Sequence, residues 1–307
     1  MLPRVLADLP VSTVVNELLA GKVELVPLDS AGEVKAIYTY GHPQIDGALM
    51  DRVPGCRVIS NFGVGVDHID VAAATARGIP VGNTPGILDG ATADLAFSLI
   101  LAAGRRIVEG DRYAKSPAFT HYDPSYMLGR EVHHATLGIF GLGRIGEQVA
   151  KRARGFDMSV LYNTRNRRLD LEEKLGVRYA SKDEVLAQSD YVLLMCPLTP
   201  ETRGLIGMAE LKKMKPTAAL INAARGAVVD TTALTEALAK KVIRIAALDV
   251  TDPEPLPRDH PVLKLDNVII TPHLGSATEE TRRRMAEVSV DNLLAGLEQR
   301  PLPHRVN

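Results

Sequence analysis

Residues 135–146 read A-T-L-G-I-F-G-L-G-R-I-G. An apolar run at 137–140 meets three glycines spaced G-x-G-x-x-G: Gly141, Gly143 and Gly146. Beyond them Ile145, Val149 and Ala150 recur at helical spacing, with Glu147, Lys151 and Arg152 on the other side. The pattern predicts a strand, a tight turn and a helix, the context in which such glycines cradle a pyrophosphate. The first glycine permits the turn, the second lets a phosphate approach the backbone, and the third lets the helix lie close on the strand. The helix N-terminus then offers free N–H groups and the positive end of its dipole. The stretch reads as the opening of a dinucleotide-binding sheet.

From here the chain alternates regularly. Strands are expected at 137–140, 159–161, 191–195, 218–221, 245–248 and 268–270, with a short one near 177–179, and helical stretches fall between most of them. That is an α/β, doubly wound parallel sheet of Rossmann type, which binds ligands at the carboxyl ends of its strands. The residues at those ends are Gly141, Asn163, Cys196-Pro197, Asn222-Ala223-Ala224-Arg225, Asp249 and Thr271-Pro272-His273. A glycine turn, an arginine, an acid and a histidine are gathered on one edge of one sheet.

Residues 1 to about 90 predict a smaller, flavodoxin-like parallel α/β unit. Its strands are expected at 23–26, 35–38, 56–59 and 79–81, and its helices at 14–19 and 71–77. It lacks the glycine fingerprint. Asn61-Phe62-Gly63-Val64-Gly65-Val66-Asp67 comes after one of its strands, either as a plain tight turn or as a loop whose glycines free N–H groups for a ligand. Asp89 and Gly104 bracket a helix so apolar all round that it must be buried. Residues 105–134 are expected to be an irregular polar excursion bearing Tyr113, Phe119, Tyr122 and Tyr126, with His133 and His134 at the surface. Ser276-Ala277-Thr278-Glu279 reads as a capping box opening the last helix, where Val290, Leu293, Leu294 and Leu297 keep helical spacing. Returning to the first domain, that helix would make it discontinuous. The expected division is a substrate domain of 1–97 and 277–307, a dinucleotide-binding domain of 98–276, and a cleft between them.

Length and charge narrow the classes further. The chain has 307 residues, room for two ordinary domains. A formal net charge of −1 gives no basic field to attract nucleic acid or a membrane. Cys56 and Cys196 form no metal-like pair and no disulfide framework, so no metal is expected and a reducing, cytoplasmic setting is. The N-terminus has no signal-peptide pattern, and no apolar run nears the ~20 residues of a membrane span.

Beside a dinucleotide, the expected chemistry is hydride transfer to a carbonyl, which leaves an oxygen in need of a proton; histidine is the usual donor. His273 stands in T-P-H-L-G-S, where it reads as that donor or as a satisfied histidine in a turn. Glu254 stands in D-P-E-P, where prolines on both sides stiffen its backbone. A carboxylate beside an imidazole favours the protonated ring, the form needed for reduction; the bland alternative is a solvated loop acid. Arg225 stands in N-A-A-R-G among small residues. Its guanidinium can clasp a planar carboxylate and polarise a keto oxygen, which makes the substrate a 2-oxo acid, or it forms a structural ion pair. Past the second strand, Tyr162-Asn163-Thr164-Arg165-Asn166-Arg167-Arg168 lacks the acid that usually holds the ribose 2′-hydroxyl of NAD. Thr164 and Arg165 would bind a 2′-phosphate instead, so NADP(H) is expected to be preferred, with NAD(H) possible through Asn163.

G-L-G-R-I-G, N-A-A-R-G-A-V-V-D, L-D-V-T-D-P-E-P-L-P and T-P-H-L-G-S-A-T together resemble the D-isomer-specific 2-hydroxyacid dehydrogenases. The early V-I-S-N-F-G-V-G-V-D-H-I-D and G-I-P-V-G-N-T-P-G extend the resemblance over nearly the whole chain. The Asn-Thr-Arg ribose loop and D-P-E-P-L-P-R-D-H-P are similar to the glyoxylate/hydroxypyruvate reductase branch. The resemblance implies Arg225, Glu254 and His273 as the catalytic set, and substrate N–H contacts from Val64 and Gly65. It implies cofactor contacts from Leu142, Gly143, Arg144 and Ile145 at the pyrophosphate, and from Asn163, Thr164 and Arg165 at the ribose. Cys196 and Pro197 would line the adenosine side, and Thr202, Ala223 and Ala224 would make further cofactor contacts. Asp249, His273 and Gly275 would lie toward the nicotinamide, and Thr92 would touch the cofactor across the cleft. A homodimer through the region around 95–135 is also implied. The tryptophan that some hydroxypyruvate reductases of this family bring into the substrate pocket from a partner subunit has no counterpart, since the chain contains none. Competing expectations are a 2-ketogluconate reductase of the same family and a corepressor-like protein that senses NAD(P) without turnover.

Overall fold

Short apolar segments alternate with polar loops along the whole chain, and in the computed structural model, which describes residues 1–307, those segments build two parallel sheets. Residues Met1–Leu88 and Ala277–Asn307 form one unit, and Asp89–Ser276 the other. The first unit contains β1 (Arg4–Ala7), α1 (Thr13–Leu19), β2 (Glu24–Pro27), β3 (Ala36–Thr39), α2 (Gly47–Asp51), β4 (Ile59–Asn61), α3 (Val71–Ala76) and β5 (Val81–Gly82). Its strands lie in the order β2-β1-β3-β4-β5, the flavodoxin arrangement. β1 has no counterpart among the sequence expectations: it is a four-residue run between Pro3 and Pro10, too short for a period to show. β4 begins later than the expected 56–59, because Gly55 (φ +84°) closes a turn that holds Cys56.

The second unit contains α4 (Asp89–Arg105), α5 (Ile107–Ala114), β6 (Thr136–Phe140), α6 (Arg144–Arg154), β7 (Ser159–Asn163), α7 (Leu169–Leu175), β8 (Arg178–Tyr179) and α8 (Lys182–Gln188). It continues with β9 (Tyr191–Leu194), α9 (Met208–Leu211), β10 (Ala219–Asn222), α10 (Thr231–Ala239), β11 (Ile245–Leu248) and β12 (Val268–Ile270). The strand order is β12-β11-β10-β9-β6-β7-β8, all parallel, which is the Rossmann order with one further strand. The order reverses between β6 and β9, and in such sheets the ligand crevice opens at that switch point.

Two expectations need correction here. The domain boundary lies at 88/89 rather than 97/98. The helix that begins at Asp89 and runs through 97/98 cannot be shared, because Ala93, Ala96, Phe97, Ile100 and Ala103 bury into one core with Leu137, Ile139 and Ile221. Residues 105–134 are not wholly irregular: α5 occupies 107–114, its period masked by polar residues such as Glu109, Asp111 and Arg112 on a surface helix.

The last helix, α11 (Glu279–Leu297), belongs to the first unit and packs on α1, β3, β4 and β5. Tyr38 and Ser289 share a buried hydroxyl–hydroxyl hydrogen bond of 2.8 Å, and the Ser60 hydroxyl donates to the Ser289 carbonyl at 2.6 Å. The helix is capped by Thr278, whose hydroxyl accepts from the Thr281 N–H, and not by Ser276, which is buried just before it in the chain. No helix is long and apolar enough to cross a membrane.

Candidate active site

The β6–α6 turn carries the glycine fingerprint. Gly141 has φ +99°, and a Cβ there would lie 2.6 Å from the Cys196 nitrogen on the neighbouring strand end. A Cβ on Gly146 would strike the Gly141 carbonyl, so the helix sits directly on the turn. Gly143 is different: nothing lies within 4 Å of where its Cβ would be, and as N-cap of α6 it supplies no side-chain cap. An eleven-residue helix therefore presents uncapped N–H groups, with Arg144 and Ile145 in its first turn, to open space. A pyrophosphate fits such a cradle. Leu142 is buried, and its carbonyl accepts from Arg168 at 3.1 Å.

At the end of β7, Asn163 donates to the Ala180 carbonyl at 2.8 Å and Thr164 to the Asn166 carbonyl at 2.6 Å. Arg167 is committed to Glu172 and Arg168 to Asp170, each through two hydrogen bonds. Arg165 is exposed, and its charge reaches Glu201. The Glu201 carboxyl is held below its usual range chiefly by the Thr199 hydroxyl, with its own backbone and then Arg165 adding to the effect. At the end of β9, burial pushes the half-buried Cys196 thiol up to about 11. Thr202 closes the loop beyond Pro197, donating to the Pro197 carbonyl at 2.7 Å and accepting from the Thr199 N–H at 2.8 Å.

Asn222, the last residue of β10, is 1% exposed. Its amide donates to the Arg225 carbonyl at 2.9 Å while its oxygen accepts from the Ala224 N–H at 3.1 Å. One side chain thereby sets the path of Ala223, Ala224 and Arg225. Arg225 is half-buried and donates to the Ala224 carbonyl at 2.9 Å. The next residue, Gly226, lies so close to the Thr251 carbonyl that no Cβ would fit, which brings the arginine loop against the D-P-E-P loop. Thr231 and Thr251 fix that second loop by donating to the Asp252 and Pro253 carbonyls at 3.0 and 2.9 Å.

Asp249, beyond β11, is 2% exposed and acts as the staple of the histidine turn. Its Oδ1 accepts from the Thr271 hydroxyl at 2.6 Å and the Leu274 N–H at 2.7 Å; its Oδ2 accepts from the Gly275 N–H at 2.8 Å. Its backbone carbonyl accepts from the His273 N–H at 2.9 Å. Those four bonds hold His273 at φ +56°, a left-handed conformation uncommon for a residue with a side chain. In that pose His273 Nδ1 meets Glu254 Oε1 at 2.8 Å, with the two side chains 29% and 37% exposed. The carboxylate orients the ring and leaves Nε2 as the other working nitrogen. Thr92, expected on the far side of a cleft, belongs to this same unit: it is buried in α4, and a Cβ on Gly275 would sit 3.2 Å from its methyl group.

Val64 and Gly65 lie in the first unit, on the loop after β4. Asn61 donates to the Gly63 and Gly65 carbonyls at 3.0 and 2.9 Å and accepts from the Thr39 hydroxyl at 2.7 Å. Asn83 donates to the Val64 carbonyl at 2.9 Å. With its carbonyls tied down, the loop has fixed directions for the Val64 and Gly65 N–H groups.

The sequence reading names Arg225, Glu254 and His273, but not the side chains that hold them: Asn222, Thr231, Thr251 and the stapling role of Asp249. Asn or Asp at a strand end is the available signal, because such side chains bond to nearby backbone in turns.

A family model for D-isomer specific 2-hydroxyacid dehydrogenase, NAD binding domain, matches residues 97–275. A glyoxylate reductase of Korarchaeum cryptofilum is 48% identical over 264 residues, spanning 86% of this chain and 80% of that protein. The structure of the TT0316 protein from Thermus thermophilus matches with a TM-score of 0.90 at 43% identity, over 99% of this chain and 100% of that one. An NADPH-dependent glyoxylate/hydroxypyruvate reductase from Sinorhizobium meliloti, solved with NADP and malonate, matches with a TM-score of 0.90 at 32% identity, over 100% of this chain and 97% of that one.

Proposed function

The chain belongs to the D-isomer-specific 2-hydroxyacid dehydrogenases, and from that premise we propose that it reduces glyoxylate and hydroxypyruvate to their 2-hydroxy acids with NADPH. Membership makes it an oxidoreductase that binds a nicotinamide dinucleotide. The observation that carries the finer reading is the His273–Glu254 pair, on the same strand edge as the Arg225 loop and the uncapped glycine turn.

The bound dinucleotide supplies the hydride. Arg225 binds the substrate carboxylate and draws electron density toward the keto oxygen. His273 gives that oxygen a proton from Nε2, while Glu254 holds Nδ1 and fixes the orientation of the ring. Within the first unit, the N–H groups of Val64 and Gly65 are donors of the kind a carboxylate accepts from. Leu142, Gly143, Arg144 and Ile145 hold the pyrophosphate; Asn163, Thr164 and Arg165 hold the ribose and its 2′-phosphate. Cys196 and Pro197 line the adenosine half, and Thr202, Ala223 and Ala224 add further cofactor contacts. Thr92 and Gly275 pack together behind the histidine turn, and Asp249 serves the nicotinamide end by fixing that turn rather than through a spare oxygen. NADPH preference is supported by the missing acid after β7 and by exposed Arg165.

The active form is a homodimer. Ile107, Phe119, Tyr122, Tyr126 and Leu128 are exposed along α5 and the strap behind it, apolar area that a second copy would cover. Light scattering that gives a monomer mass at micromolar concentration would refute this.

The deciding experiment measures kcat/KM for glyoxylate with NADPH and with NADH at neutral pH. Efficient turnover favouring NADPH is expected. Turnover favouring NADH would overturn the roles of Thr164 and Arg165, and no turnover of either 2-oxo acid would overturn the substrate class.

A further inference from the structure

The amino ends of the seven-stranded sheet, opposite the edge that carries Gly141, Arg225 and His273, open onto a cavity of about 370 Å³. Its floor is the start of three strands: Ala135 before β6, Tyr191 in β9 and Ala219 in β10. One wall is the end of α4 at Ala103 and Gly104, and the other is the strap 129–134. The strap is fixed in place: the Arg130 N–H donates to the Gly104 carbonyl at 2.7 Å, and the Tyr191 hydroxyl donates to the Glu131 carbonyl at 2.9 Å.

The charges around this cavity do not balance. Arg130 and Arg244 line it, together with the carboxylates of Asp190 and Glu131. Arg106 stands close enough for its charge to act on Arg244, and Arg105 close enough to act on Tyr191. The carboxylates nearby are already engaged. Asp190 accepts from Lys215 at 2.8 Å and from the Thr136 N–H at 2.9 Å, and Glu109 is paired with Arg106. Glu131, at the cavity's mouth, keeps its side chain 80% exposed, 3.8 Å from His133. Burial first, and then the charges of Arg106 and Arg130, depress the Arg244 guanidinium below its ordinary range. Like charges gathered in a half-buried cavity repel one another unless an anion joins them.

We propose that this cavity binds a phosphate group, free or on a small metabolite, between Arg130 and Arg244. Two guanidinium groups without a carboxylate partner call for about two negative charges, which a phosphate monoester carries near neutral pH. Guanidinium also matches its oxygens bidentately. The cavity has room for a small carbon chain beyond the phosphate. The site is separate from the 2′-phosphate loop after β7, since every lining strand residue lies at the start of its strand rather than the end.

The test is a thermal-shift titration of the full chain with inorganic phosphate, ionic strength held constant with chloride. Wild type, R165A and R225Q should show a saturable rise in Tm, while R130Q and R244Q should need about tenfold more phosphate for the same rise. Line broadening of the phosphate ³¹P signal reports binding independently of Tm. If R244Q does not fold, R130Q, at a position exposed in the single chain, decides alone. Glycerol 3-phosphate half-saturating below inorganic phosphate would identify an organic phosphate as the ligand, and equal values would identify the free ion. A rise that never saturates, or one that survives both R130Q and R244Q, overturns the site. So does a rise lost in R165A or R225Q, which would put the phosphate on the opposite edge. Finding no rise because carboxylates of a second copy fill the cavity overturns it as well.

Discussion

At the carboxyl edge of the five-stranded sheet the buried polar side chains are Thr39 and Asn61; at the same edge of the seven-stranded sheet they are Asn222 and Asp249. All four do the same work, bonding to each other or to the backbone of the loop beyond their strand. The sheets differ in what those loops carry. In the first, the loops carry backbone donors at Val64 and Gly65, and even Asp8 is spent on the Tyr40 and Gly41 N–H groups at 2.6 and 2.5 Å. In the second, the loops carry Arg225, Glu254 and His273, all partly open to solvent. A parallel sheet thus supplies the same edge in both units. Whether the edge does chemistry depends on the half-exposed residues one step beyond its buried staples.

That contrast can be broken at its strongest point. Changing His273→Gln should lower kcat about 100- to 10,000-fold with little change in NADPH affinity, and Arg225→Ala should cut kcat/KM for the oxo acid by a similar factor. Steady-state kinetics with fluorescence titration of NADPH check both; lost cofactor binding in either variant would erase the distinction between staple and chemistry. Stability should divide the other way. Asp249→Ala strands three donors in a buried turn and should cost about 3 kcal/mol, whereas Asp8→Ala, on a half-exposed loop, should cost about 1 kcal/mol. Urea unfolding followed by circular dichroism reads both, and equal losses would mean that the two edges are stapled alike.

The ribose loop sharpens the comparison by a smaller factor. Thr164→Asp combined with Arg165→Ala should shift the NADPH-to-NADH ratio of kcat/KM about 10- to 100-fold toward NADH, the worth of one charge-assisted contact and one new repulsion. An unmoved ratio would locate the 2′-phosphate elsewhere. The smallest effect compares the two thiols. Burial lifts both Cys56 and Cys196 to about 11, so at pH 8 only about one thiol in a thousand is ionised. Alkylation by iodoacetamide should be slow for both and should rise about tenfold per pH unit up to pH 10. NADPH should protect Cys196 and leave Cys56 unaffected, as read by peptide mass spectrometry; equal protection would remove Cys196 from the cofactor side.

The positions of the strands in the larger sheet were legible because apolar runs there are regular and end in distinctive residues, Gly141, Arg225 and His273 among them. β1 was not, because four residues between prolines carry no period, although it occupies the second place in its sheet. α5 was hidden by its polar surface, and the last helix starts at Thr278 because capping depends on which hydroxyl faces the free N–H groups, not on spacing alone. The acid–imidazole pair was named residue by residue, yet its contact joins positions nineteen apart through a left-handed turn that only the stapling by Asp249 explains. A strand-end Asp looks the same in sequence whether its oxygens face a ligand or its own loop.

The return of α11 to the first sheet has a consequence for synthesis. As the chain leaves the ribosome, β5 emerges about 200 residues ahead of the helix that will cover it, while the intervening unit is contiguous and can complete its own core first. Through that interval the Val58, Ser60 and Tyr38 positions that α11 buries stand without their cover. The N-terminal domain is therefore the last to be finished, and a nascent chain released near residue 276 would hold a complete cofactor domain tethered to an uncovered sheet, a natural target for chaperones.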